Sequence, residues 1–179
     1  MRSVEKLTQH EPTPDVLSSV RNALSDTDEL VRLVAAEALG DWKDLSSESL
    51  LDNLLKDPDW LVRGEAAISL AKIGSQRITG IIEKKINMNI TKNEKLRYAC
   101  AAFIVEKESM SRMIEIYKSG NHRIKCATFN LLADAIHFKY REDKNLIRFA
   151  IKWANSLEER QVSVESTRKN FLKELEEIS

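Results

Sequence analysis

The sequence predicts an all-α fold, a right-handed α-solenoid of about five helical hairpins, and three observations carry that prediction. The 179 residues include only five Gly and three Pro, too few breakers for a β-rich or loop-built chain. Apolar residues make up 42% and charged ones 31%, a balance that at this length allows a sizeable core. The third observation is a repeat. DTDELVRLVAAEALG (26–40) recurs 31 residues later as DPDWLVRGEAAISLA (57–71), with eight of fifteen positions identical. Weaker copies follow at 91–105 and 119–133, aligned through Leu96, Arg97 and Cys100 and through Ile124, Lys125 and Thr128.

Each copy follows another apolar-periodic stretch, so the elements come in pairs. First helices are expected near 13–24, 46–56, 77–88 and 108–118, and second helices near 29–42, 60–74, 94–106 and 122–138. A last pair, about 143–157 and 162–177, closes the series, with Val164, Phe171, Leu172, Leu175 and Ile178 along one side of its second helix. Asp28, Asp59, Asn93 and Asn121 stand where an N-cap would accept from free amides. Pro58 lies in a turn, where it breaks no ladder. Ala35, Ala36, Ala66, Ala67 and Ala101 let neighbouring helices approach, while Val31, Leu39 and Leu70 are expected in the core. No linker interrupts the pattern, which predicts a single repeat domain over 1–179 with units near 13–43, 46–74, 77–106, 108–138 and 143–177; residues 1–11 read as a loose start.

The quoted core, D-x-D/N-x-x-V-R-x-x-A-A-x-x-L, resembles the HEAT repeat family in the variant seen in small bacterial proteins. The likeness is strong over 26–74, weaker to about 135, and only architectural beyond. It implies hydrogen-bonded ladders between repeats, built from a turn Asp and an Arg six residues on. Asp26–Arg32 and Asp57–Arg63 keep that spacing, whereas Thr91 and Ser119 replace the Asp in later copies.

The chain carries no catalytic constellation. Its glycines are scattered rather than gathered in a phosphate loop, and His122 and Cys126, four apart, are too few ligands for a structural zinc site. No metal or other cofactor is therefore expected. HEAT-like di-iron hydroxylases use repeated His-Glu pairs, and this chain has one, His10-Glu11. Bilin lyases share similar short repeats without a motif that separates them. Cys100 and Cys126 cannot make a disulfide framework, and the sequence lacks a run of about 18 apolar residues or an apolar leader. These features suit a soluble, cytoplasmic protein.

In the resembled architecture the second helices line a concave face. Positions opposite the core stripe then form four columns: Glu29, Trp60, Glu94 and His122; Leu33, Gly64, Tyr98 and Cys126; Glu37, Ile68, Ala102 and Asn130; Asp41, Lys72, Glu106 and Asp134. The expected partner-binding set is Glu29, Leu33, Glu37, Asp41, Trp60, Ile68, Glu94, Tyr98, Glu106 and Asp134. An acidic groove with a few apolar anchors suits a basic protein surface and disfavours nucleic acid, whose phosphates need Lys and Arg. The economy of the chain resembles HEAT-like immunity proteins, which implies a toxin domain, such as a basic nuclease, as the partner. Net charge zero hides a division: 1–74 hold 8 basic and 14 acidic residues, and 75–152 hold 16 and 8. Two basic clusters, Lys84, Lys85, Lys92 and Lys95, and Lys139, Arg141, Lys144 and Arg148, leave a nucleic-acid or glycosylase-like alternative open, beside that of an adaptor or bilin-lyase-like chaperone. Trp153 continues the apolar stripe of Leu146, Phe149 and Ala150, and so reads as core.

Overall fold

Six of the ten described helices start where a side chain accepts from amides that have no helical partner. Thr13 caps α1 (Pro14–Ala23), whose proline occupies a position where its missing N–H costs nothing. Asp28 caps α2 (Glu29–Asp41), a short 3-10 turn leads into α3 (Glu48–Leu54), and Asp59 caps α4 (Trp60–Lys72). α5 (Ile78–Ile86) and α6 (Lys92–Val105) complete the third pair. α7 (Met110–Lys118) and the Asn121-capped α8 (His122–Ala135) form the fourth, with α8 running on into a π-helical turn, Ile136–Tyr140. α9 (Lys144–Asn155), capped by Asp143, and α10 (Val162–Glu176) form the last. This computed structural model describes residues 12–179, among which there are ten α-helices and no strand. His10 and the adjoining Glu11 lie outside the described residues.

One cap differs from expectation. Asn93 lies inside α6, and Thr91 caps it instead, its hydroxyl accepting from the Glu94 amide at 3.2 Å. The third copy of the repeat has a threonine where the first two have aspartate, and its helix begins correspondingly earlier.

The described residues gather into two compact units divided between Lys107 and Glu108, a division no composition shift announces. In the first unit α2 packs along α4 and α4 along α6, and each is also backed by its own first helix. Ala36, Leu39, Leu51, Val62, Ala66, Ala67, Leu70, Ile78 and Phe103 are the centre of this core. The small residues work as expected. A Cβ on Gly40 would lie 2.8 Å from the Ser69 backbone, and the Ser69 hydroxyl donates to the Ala36 carbonyl at 2.8 Å. The α2–α4 contact is therefore a backbone-close one, which only a side-chain-free position allows.

In the second unit α8 packs against α10 and against α7, and α9 against α10. Tyr117, Phe129, Trp153 and Phe171 form an aromatic cluster with centroids 5.2–5.5 Å apart, largely edge-on or tilted. Edge-to-face contacts at that range add to simple burial. Trp153 thus takes the core position its spacing predicts. Phe149, expected on the same stripe, is exposed.

Candidate protein-binding surface

The arginines that recur in the repeat reach neighbouring turns and helices. Arg32 donates to its own turn carbonyls, Asp26 and Thr27, and makes a bidentate pair with Asp57 of the next turn at 2.8 and 2.9 Å. Burial alone would push the Asp57 carboxyl up, but the Arg32 hydrogen bonds and charge, with the Asp59 amide, hold it below its ordinary range. Arg63 repeats the pattern, donating to the Asp57 and Pro58 carbonyls and bidentately to Glu94 at 2.8 and 2.9 Å. Where the third copy has lost the turn aspartate, Glu94 supplies the missing carboxylate. Arg97 turns back to Glu65, and Lys72 pairs with Asp41. In the second unit Lys125, at the equivalent repeat position, pairs with Glu159, which also accepts from the Tyr117 hydroxyl.

These ion pairs and the packing behind them remove part of the expected acidic groove. Ile68, Glu94 and Tyr98 are buried, so none of them presents a side chain to a partner. Glu94 is consumed by Arg63, and Asp41 shares its charge with Lys72. Tyr98 is sealed in, and burial together with the Glu94 charge pushes its hydroxyl up to about 12. Gly64 opens no gap either, because the Arg97 side chain fills the space a Cβ would need. α4 is buried continuously from Gly64 to Ala71, which leaves no open face along it. Of the remaining candidates Glu29, Glu106 and Asp134 are exposed, and Leu33, Glu37, Asp41 and Trp60 are partly so. Glu29, Leu33, Glu37 and Asp41 share one helix.

That helix, α2, carries the open surface of the first unit. Leu30, Val31 and Val34 are 59%, 39% and 49% exposed. Helical spacing sets them beside Leu33 and Glu37 on the side away from Leu39. The equivalents of Val31 in the next two repeats are Val62 and Leu96, at 0% and 1% exposure, and those of Val34 are Glu65 and Ala99, at 6% and 0%. In α4 and α6 those positions are buried, Glu65 being paired with Arg97 of the next helix, whereas on α2 they are exposed. Val31, expected in the core, is therefore a surface residue, as are Leu30 and Val34. The LVRLV run of α2 was the available signal, being apolar over too wide an arc for a helix with one buried face.

Residues 13–82 match the family model for HEAT repeats. The match covers less than half of the chain and supports the HEAT repeat family for α1 to α4 and part of α5. No curated protein matches the chain. HEAT repeats are in general non-catalytic protein-interaction modules, and the layered helix pairs seen here accord with an α-solenoid. Among the described residues no three His, Cys, Asp or Glu side chains gather to hold a metal ion, and no helix is long and apolar enough to cross a membrane. An open cleft of about 780 Å³ is lined by the single segment His137–Asn145, mixing Lys139, Arg141 and Lys144 with Glu142 and Asp143. Asp143 there caps α9, accepting from the Leu146 amide, and Lys144 donates to the Ile178 carbonyl.

Proposed function

We propose that this chain is a non-catalytic protein-binding module of the immunity-protein kind, which binds a basic toxin domain and blocks it by occupancy. The observation that carries the reading is the exposed face of α2, where Leu30, Val31, Leu33 and Val34 lie among Asp26, Asp28, Glu29 and Glu37. Apolar side chains of this size on a surface supply affinity when covered, and carboxylates around them steer a cationic partner. A basic nuclease fits that chemistry, since its active site already binds phosphates, which carboxylates imitate. Trp60, half-buried at the start of α4, and the exposed Glu106 stay in the proposed partner-binding set, whereas Asp134 belongs to the second unit and is left out of it.

The test is capture of the tagged protein from its native cells, with and without nuclease, followed by mass spectrometry and a search for a toxin gene beside its own. One basic protein held at equal stoichiometry after nuclease treatment is expected, and Glu29→Lys with Glu37→Lys should release it. Retention by that double variant would remove the site from α2. A second reading rests on α9, where Lys144, Arg148 and Lys152 lie at four-residue intervals beside exposed Phe149 and no acidic residue falls within the helix. Cations spaced along an exposed aromatic suit nucleic acid. Captured material that disappears with nuclease would favour this second reading.

A further inference from the structure

We infer that the α2 face accepts a single amphipathic helix from the partner, apolar on one side and flanked by Lys or Arg, which lies along α2 as α2 lies along α4. This inference rests on the protein-binding reading above and names the element the partner supplies. Within the first unit α4 packs on α2 and α6 on α4, and Val62 and Leu96, at the repeat position of Val31, are buried there. The α2 face keeps an apolar residue at the Val31 position, as Val62 and Leu96 do, and adds Leu30 and Val34 beside it, ridges of side chains three and four apart that a helix can pack against.

The rim decides whose helix it is. Asp26, Asp28 and Glu29 are exposed at the start of α2, with Glu37 partway along it. The two arginines of this hairpin are both committed elsewhere, Arg21 to Asp44 and Arg32 to Asp57. A second copy of this chain would bring the same carboxylates against themselves, a repulsive arrangement. A basic helix meets the rim with opposite charge, which is the helix-in-groove mode of recognition with its anchors at i, i+3, i+4 and i+7.

The probe is an idealised helical peptide with leucine at those four positions and lysine on its flanks, labelled for fluorescence anisotropy, against the full chain. A counterpart with glutamate in place of each lysine is the charge control. Saturable binding of the lysine peptide is expected, with none of the glutamate peptide. Val34→Lys should weaken it about tenfold or more, while Leu45→Lys, an exposed position on the 3-10 turn, should leave it unchanged. Circular dichroism and thermal melts check that both variants keep their fold. No binding, equal binding of both peptides, or full affinity in Val34→Lys overturns the inference. So does light scattering that finds a dimer dissolved by Val34→Lys, which would make a second copy the occupant. Should Val34→Lys lose the captured cellular partner while the peptide neither binds nor competes, the protein-binding reading stands and the helix fails.

Discussion

Lys43 and Gly74 occupy the same place after α2 and α4, and both have positive φ, 53° and 80°. Each follows a helix end closed by paired backbone bonds: Lys43 to the Gly40 carbonyl and Asp44 to Leu39, then Gly74 to Ala71 and Ser75 to Leu70. Such a left-handed closing residue is ordinarily glycine, because a Cβ crowds the backbone there. Lys43→Gly should therefore raise stability by about 0.5–1 kcal/mol, partly offset by the looser unfolded chain; a urea titration measures it. At Gly40 the sign reverses. Alanine there meets Ser69 backbone rather than a movable side-chain end, so Gly40→Ala should cost about 1–3 kcal/mol by forcing α2 and α4 apart. An unchanged melting temperature would mean that the two helices slide freely.

At the scale of the element, chemistry and context separate. Helix positions, three of the four N-caps in the repeats and the small-residue contacts were legible because capping and close approach are local requirements. Asn93 is not a cap because Thr91 shifts the start of α6, a change that the repeat register does not carry. Burial of the site was less legible. Val31 and Val62 look alike in sequence, yet whether such a residue is covered depends on a neighbouring layer that the residue itself does not encode. The Lys72–Asp41 pair could have been read, since both stand in one column of adjacent repeats; the Arg63–Glu94 pair could not, since it replaces a lost aspartate from a different position. This distinction predicts unequal tolerance. Val34→Thr should shift stability by less than about 0.5 kcal/mol, as an exposed change does. Val62→Thr, at a fully buried position, should cost about 1–3 kcal/mol through an unsatisfied hydroxyl. Equal effects in paired denaturation curves would contradict the exposure of the α2 face.

For the molecule as a whole, each unit has its own electrostatic closure. In the first, the bidentate Arg21 hydrogen bonds hold Asp44 below its ordinary 3.8. Asp57 is likewise held below 3.8, the Arg32 pair outweighing burial. In the second, Glu159 is lowered from 4.5: burial would raise it, but Lys125 and Tyr117 overcome that effect. A carboxyl depressed in the folded state binds protons more readily when unfolded. Its contribution is complete above the unfolded value and fades as pH falls through the folded one. Thermal stability should accordingly be level from neutral pH to about 5 and fall below about 4. Asp57→Asn should flatten that acid slope. A slope unchanged in the variant would show that other groups set the acid limit.

The unbroken burial of α4 has a consequence for reading this chain's evolution. Most helices tolerate replacement on their wet side, so the record of accepted changes oscillates every three or four residues. From Gly64 to Ala71 there is no wet side, and accepted changes should be scarce at every position alike. A saturation library scored for folding would show that stretch as a solid intolerant band. In an alignment of relatives the same band would stand out as the most constant part of the chain, inviting interpretation as a site. Its constancy would record the shape of an interior. The apolar α2 face, free to follow whatever partner it meets, would be where specificity diverges.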